Sequence, residues 1–261
     1  MRCAIITRPI EVRGIRIGCG IPKIIVPIVG ETRTDILTEA EKIADAKADV
    51  IEWRADFYET VRNANALPEM LAELRAVIGE IPVIFTIRTS NEGGKIDISD
   101  DDYAELLKAA ALSGNADMID VELFRFSGKP GALVRSLQQA GALTILSNHE
   151  FHSTPEKAEL LNRLRMMEEA GADILKIAVM PQTRTDVLTL LEATLEMAEH
   201  TDRPLITMSM SGLGSVSRLT GEIFGSAMTF GTVGKSSAPG QIPMEELRAC
   251  LATIHNSCLK D

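Results

Sequence analysis

Residues 172–181 read ADILKIAVMP, an apolar run with one lysine in its middle, bounded by Gly171 in front and ending at Pro181. A run this short between a glycine and a proline reads as a fully buried strand of a parallel sheet rather than as a helix. Side chains alternate along a strand, so Ile174, Lys176, Ala178 and Met180 share one face while Leu175, Ile177 and Val179 share the other. An ammonium taken out of water needs a partner or gives up its proton. A lysine deprotonated in this way is a nucleophile able to form a Schiff base with a ketone. A lysine at the wet end of the strand, or in a buried salt bridge, accounts for the same letters.

Outward from this strand a rhythm extends in both directions. Apolar runs recur at Lys23–Val29, Val50–Arg54, Pro82–Arg88, Met118–Leu123, Leu143–Phe151, Ile174–Met180, Leu205–Met210 and Met228–Val233. Between them lie amphipathic segments at Asp35–Lys47, Leu67–Ile78, Asp101–Leu112, Gly131–Gln139, Pro155–Glu169, Arg184–Glu199 and Ser217–Phe224, with Met244–Ser257 after the last run. Strands alternating with helices imply a parallel sheet, and eight such pairs in about 250 residues imply a closed (β/α)8 TIM barrel, an open doubly wound sheet being the alternative. Ahead of the barrel, two apolar pieces, Cys3–Ile6 and Gly14–Gly18, flank Arg8-Pro9 and suggest a β-hairpin closing the bottom. The strings Ala48–Glu52, Ala116–Asp120 and Ala172–Lys176 echo one another, each opening a strand with Ala-Asp. No linker or low-complexity tract divides the chain, so 1–261 reads as a single domain.

The bulk composition narrows the function classes. At 45% hydrophobic and 25% charged residues the chain is an ordinary globular one. A formal net charge of -10 argues against nucleic acid as a partner, and an anionic substrate must be caught by local arginines against the global field. No leader or membrane-spanning run is evident, and Cys3, Cys19, Cys250 and Cys258 lack CxxC spacing, which together suggest a cytoplasmic protein with reduced thiols.

Polar residues inside the strands fall at period two: Glu52 and Arg54, Thr86 and Arg88, Asp120 and Glu122, Ser147 and His149. Each pair shares a face near the C-terminal end of its strand, where barrels build their active sites. Any one pair is also explicable as a satisfied core group. His149 is the strongest general-base candidate, because His200 and His255 belong to surface-type helices and His152 to a loop. His149-Glu150-Phe151-His152 falls short of a zinc helix, which needs histidine where Ser153 stands. The glycine-rich stretches after Met210 and around Gly234-Lys235-Ser236 sit where barrels often hold phosphate, but a P-loop needs glycine where Thr229 stands. Ser237–Gln241 is long and small enough for a lid, or for a plain connection.

At this point the motifs converge. Glu52-Trp53-Arg54-Ala55-Asp56, Phe85-Thr86-Ile87-Arg88 with Glu92-Gly93-Gly94, Ser147-Asn148-His149-Glu150-Phe151, Lys176-Ile177-Ala178, Met208-Ser209-Met210 through Ser217-Arg218, and Ser237–Gln241 resemble the type I 3-dehydroquinate dehydratases over nearly the whole chain. The resemblance implies a (β/α)8 barrel that dehydrates 3-dehydroquinate to 3-dehydroshikimate in the shikimate route through an imine, with no metal or organic cofactor and often as a homodimer. It aligns Lys176 with the Schiff-base lysine, His149 with the proton-transfer histidine and Glu92 with the carboxylate that positions it. It also implies substrate contacts at Glu52, Arg54, Arg88, Met210, Arg218, Ser237 and Gln241. Pro27 departs from members that carry serine there, which implies that one hydroxyl partner of the substrate is missing or replaced by water.

The chemistry agrees with the resemblance. A cationic imine supplies the electron sink that lets His149 remove a proton beside the former ketone and return it to the departing hydroxyl. Lys176 must be neutral to attack, and burial beside guanidinium groups favours that form. Arg218 is the candidate for the substrate carboxylate, which a planar guanidinium grips at both oxygens. Two other classes compete: a class I aldolase, which shares barrel and lysine but cleaves a carbon–carbon bond, and a non-catalytic sugar-acid-binding barrel.

Overall fold

In the computed structural model, residues 8–234 and 240–259 are described. A hairpin of β1 (Ile10–Val12) and β2 (Ile15–Ile17) comes first. Then follow β3 (Lys23–Ile28), α1 (Arg33–Asp45), β4 (Val50–Arg54), α2 (Leu67–Ile78), β5 (Val83–Thr86), α3 (Asp100–Leu112), β6 (Met118–Glu122) and α4 (Gly131–Gln139). The second half runs β7 (Leu143–Glu150), α5 (Lys157–Glu169), β8 (Ile174–Val179), α6 (Arg184–His200), β9 (Leu205–Ser209), α7 (Ser215–Leu219), α8 (Gly221–Phe224), β10 (Met228–Thr232), β11 (Ile242–Pro243) and α9 (Met244–Cys258). The helices start where the local chemistry supplies acceptors: Thr32 with Asp35 and Thr183 with Asp186 close capping boxes on α1 and α6.

Strands β3 to β9 pair in parallel in sequence order, and β10 pairs with β3. The remaining seam, between β9 and β10, is closed by the bridge Leu205–Ser226, by Ala227 N–H donating to Leu205 O at 2.7 Å, and by Ser226 Oγ accepting Thr207 N–H at 3.0 Å. The sheet is therefore a barrel rather than an open doubly wound sheet. Its outward residues, among them Trp53, Phe85, Val121, Leu146, Ile177 and Val179, pack with the helices in one apolar layer. Its inward residues form a second cluster, whose lower, apolar part includes Val50, Ile84, Met118, Ile145, Ile174, Ile206 and Met228. These apolar side chains fill the N-terminal half, so the polar tier above them stands on a rigid floor.

The echoed Ala-Asp pairs have a structural cause. Asp49, Asp117 and Asp173 each accept, at 2.8 Å, the backbone N–H of a residue at the start of the preceding strand: Ile24, Val83 and Thr144. Each carboxylate thus adds a side-chain rung at the N-terminal rim and fixes the register of its strand pair. Asp117 is further clamped by Arg13 at 2.6 Å and Arg75 at 2.7 Å.

The hairpin is present but lies later than the sequence suggested. Its turn is Arg13-Gly14, with φ of 44° and 78°, and not Arg8-Pro9. A two-residue hairpin loop whose twist matches its strands needs positive φ at both positions, which Pro9 cannot adopt and Gly14 adopts freely. Cys3–Ile6 lies outside the described residues. Val12 and Ile17 are buried in this lower inward cluster, so the hairpin plugs the N-terminal end of the barrel. One helix expectation is also corrected: Ser217–Phe224 is two short helices, α7 and α8, separated at Thr220.

Candidate active site

The inward face of β8 carries Ile174, Lys176 and Ala178, as the alternation predicts, and Lys176 is 2% exposed. It stands in a tier with Glu52 of β4, Thr86 of β5, Asp120 of β6 and Ser147 of β7. Its Nζ donates to Asp120 Oδ2 at 3.0 Å and Glu52 Oε1 at 3.3 Å, and lies 4.9 Å from the centroid of the Phe230 ring. Thr86 Oγ1 donates to Glu52 at 3.0 Å and Ser147 Oγ to Asp120 at 2.6 Å. Among the described residues, then, the ion-pair partners of the amine are carboxylates, and the Arg88 guanidinium lies on the other oxygen of Asp120. An attacking amine must first lose a proton, and these two carboxylates oppose that loss.

Arg88 explains how so many carboxylates coexist without water. It is 3% exposed and reaches Asp120 at 2.7 Å, Glu122 at 3.1 Å, Ser147 at 3.1 Å and Glu92 at 3.5 Å. Burial opposes its charge, but Asp120, Glu122 and Glu92 outweigh that and hold its pKa well above the usual value. Asp120 is correspondingly pulled down to about 2: burial resists, and Arg88 and Lys176 overcome it. Glu122 turns away from the cavity to accept Thr89 N–H at 2.8 Å and Thr89 Oγ1–H at 2.7 Å, pinning the segment that leads to Glu92.

Glu92 sits on a short 3-10 turn, Ser90–Glu92, that folds over the barrel mouth. The two glycines behind it have separate reasons. Gly93 ends the turn at φ 78°, and a Cβ there would strike the Phe151 ring; a Cβ on Gly94 would strike the Arg88 carbonyl. Glu92 Oε2 lies 2.9 Å from His149 Nδ1 and accepts the His149 backbone N–H at 3.0 Å, while Oε1 accepts from Asn148 Nδ2 at 3.1 Å. With Nδ1 committed to Glu92, Nε2 is the ring nitrogen left for the cavity. Burial drives both partners toward neutrality. It raises Glu92 to about 8, against the pull of Arg88, and pushes His149 well below its usual range, with Arg88, Lys176 and Arg54 adding to that effect.

One cavity of about 580 Å³, including its open mouth, gathers these groups. Glu52, Arg54, Arg88, Glu92, His149, Lys176, Met210, Arg218 and Gln241 all line it, so the structure brings together every described residue to which the resemblance gave a catalytic or substrate-binding role. Ser237 lies outside the described residues, as does the rest of the stretch from Lys235 to Pro239. Arg54 is bound bidentately by Asp56, at 2.7 and 2.8 Å. Asp56 also accepts the backbone N–H of Arg88 and of Lys95, each at 3.2 Å. Arg218 is 1% exposed on α7, and burial lowers its pKa to about 10, which leaves it cationic near neutral pH. Gly214 allows this helix to press close, since a Cβ there would meet the Ser209 and Met210 carbonyls.

Five wall residues were given no role from sequence: Met208, Phe230, Phe151, Gly93 and Ala178. The first two share the inward parity of β9 and β10, a signal available in the apolar alternation once the barrel is assumed. Pro27 is buried in β3 opposite Glu52.

A closed parallel barrel thus presents an interior lysine in its polar tier and a carboxylate-held histidine at its mouth to one cavity, the arrangement of a barrel enzyme. A family model for type I 3-dehydroquinase matches residues 24–258. A 3-dehydroquinate dehydratase of Clostridioides difficile is 50% identical over 251 residues, covering 96% of this chain and 98% of its own length. The crystal structure of a type I 3-dehydroquinate dehydratase from Clostridium difficile, with covalently modified comenic acid, superimposes with a TM-score of 0.93 at 50% identity and covers 97% of this chain and 100% of that one. That of 3-dehydroquinate dehydratase from Geobacillus kaustophilus gives 0.94 at 40% identity, covering 97% and 98%. The chain belongs to the type I 3-dehydroquinase family.

Proposed function

We propose that the family's reaction, dehydration of 3-dehydroquinate to 3-dehydroshikimate in the shikimate route, runs in this chain through an imine on Lys176 with His149 moving the proton. The amine adds to the ketone carbon and water leaves, giving a cationic imine. His149 Nε2 takes a proton from the adjacent carbon, and the electron pair moves into the imine. The pair then returns to expel the neighbouring hydroxyl, which leaves as water with the proton from the imidazolium; hydrolysis frees product and lysine. Glu52 and Asp120 hold the amine before attack. Glu92 orients the imidazole, and Arg218, on the cavity wall and cationic near neutral pH, binds the substrate carboxylate. Met210 and Gln241 shape the wall, and Ser237 belongs to the same proposal on the resemblance alone.

The observation that carries this reading is the placement of Lys176 Nζ and the Glu92-held His149 on one cavity wall. The test is growth of the conjugated product's ultraviolet absorbance when the protein meets 3-dehydroquinate. Turnover of a sugar phosphate instead would favour an aldolase, and binding without turnover a non-catalytic barrel. The resemblance also carries a single-domain chain acting as a cytoplasmic homodimer, which light scattering at twice the 28.3 kDa chain mass would support.

A further inference from the structure

Behind the His149–Glu92 pair, on the side away from the cavity, a second polar line begins. Asn148 of β7 is 4% exposed and points outward, opposite in parity to His149. Its Nδ2 donates to Glu92 Oε1 at 3.1 Å, and its Oδ1 accepts from Arg163 Nη1 of α5 at 2.7 Å. Arg163 is itself fixed from three sides: Glu159 at 2.8 Å, Glu150 at 3.7 Å, and the Phe124 ring, whose centroid lies 5.3 Å from the guanidinium carbon.

An amide can turn over by 180° and exchange its donor for its acceptor. Turned the wrong way, Asn148 would set a carbonyl oxygen against the Glu92 carboxylate. Arg163 carries donors only, so its bond to Oδ1 rules that orientation out and leaves the NH2 group facing Glu92. We propose that Asn148 and Arg163 are positioning residues for proton transfer: Arg163 fixes the Asn148 amide, and Asn148 holds Glu92 as the acceptor for the Nδ1 proton of His149. The inference rests on the reading of His149 as the proton-transfer group.

The consequence follows from where the proton sits. While Glu92 is protonated, its O–H donates to Nδ1 and Nε2 carries the ring hydrogen; once it ionises, Nδ1–H donates to it and the Nε2 lone pair faces the cavity. Asn148 donation favours the ionised form, as does Arg88 at 3.5 Å, while burial and the Glu122 and Asp120 carboxylates of β6 oppose it. Lys176 and Arg54 act on the imidazole from the cavity side.

The test is the pH profile of kcat for wild type, Asn148→Ala, Arg163→Ala, Arg163→Lys and His149→Ala, with borohydride trapping of the substrate imine in each. For Asn148→Ala, the rising limb is expected about 0.5–1 pH unit more alkaline, with kcat near neutrality down about three- to tenfold, KM within about twofold and the adduct yield unchanged. Arg163→Ala should move the limb the same way by less, and Arg163→Lys, which still offers a donor to Oδ1, should bring it back toward wild type. Should Asn148→Ala not fold, the two Arg163 variants carry the comparison. Unshifted limbs beside a slow His149→Ala would overturn the relay, as would Arg163→Lys behaving like Arg163→Ala. Wild-type turnover in His149→Ala would instead remove the underlying assignment.

Discussion

One carboxylate oxygen, Glu92 Oε2, serves His149 twice, accepting its backbone N–H at 3.0 Å and lying 2.9 Å from its Nδ1. Strand position and ring orientation are therefore set by a single group, and the state of that group decides which imidazole nitrogen carries hydrogen. Because burial raises Glu92 to about 8, we expect turnover to rise with pH through that region. Glu92→Gln removes the ionisation, so the rising limb should move far to the acid side, toward the depressed titration of His149 itself. A pH–kcat profile of the variant that keeps the wild-type limb would contradict this.

The same pair couples pH to stability. Glu92 is raised from 4.5 to about 8, so the folded chain holds an extra proton between those values and loses stability as pH rises across them. His149 is depressed, so its contribution runs the other way but ends near its ordinary value of 6.5. From pH 6.5 to 8 only the Glu92 slope is left from this pair, at most about 2 kcal/mol. Urea midpoints should fall across that window in wild type and stay flatter in Glu92→Gln.

His149→Ala leaves the nucleophile in place and removes the base. We expect kcat to drop by about 10²–10⁴-fold while the imine still forms and can be trapped. Wild-type turnover would return His149 to the role of a core histidine.

Arg218→Lys keeps a charge but loses the planar fork. The expected result is a KM raised about tenfold with a smaller change in kcat, because the carboxylate is gripped in both ground and transition states. An unchanged KM would place the carboxylate on another cation.

Asp117 touches nothing in the cavity, yet it holds Val83 N–H, Arg13 and Arg75 at 2.6–2.8 Å. Asp117→Ala strands the Val83 N–H and leaves Arg13 with Glu80 and Arg75 with the Gly79, Ile81 and Asn115 carbonyls, and should cost about 1–3 kcal/mol of stability by chemical denaturation, with kcat of the folded fraction near wild type. A loss of activity without loss of stability would mean that the rim and the mouth communicate.

Much of the frame was legible because its signals are local. Each apolar run became a strand within a residue or two, and of the period-two polar pairs Glu52, Arg54, Arg88 and His149 line the cavity while Thr86, Asp120, Glu122 and Ser147 hold those groups from behind. What stayed hidden depends on convergence. Arg88 joins β5 to Asp120 and Glu122 of β6, Ser147 of β7 and the turn bearing Glu92, and no spacing in the sequence encodes that meeting. The carboxylate partners of Lys176, Asp120 and Glu52, lie 56 and 124 residues away along the chain and leave no local trace either. The hairpin slipped because Arg8-Pro9 is the louder turn signal, while positive φ at Arg13 leaves no mark in composition. Asn148 drew notice only as a neighbour of His149, since its partner Arg163 sits on the next helix.

The most direct measurement is peptide mapping after the protein is incubated with 3-dehydroquinate and reduced with borohydride. The account predicts one modified peptide, with the adduct on Lys176, and its disappearance in Lys176→Ala together with turnover. An undiminished adduct in that variant, or full turnover without any adduct in wild type, would contradict it.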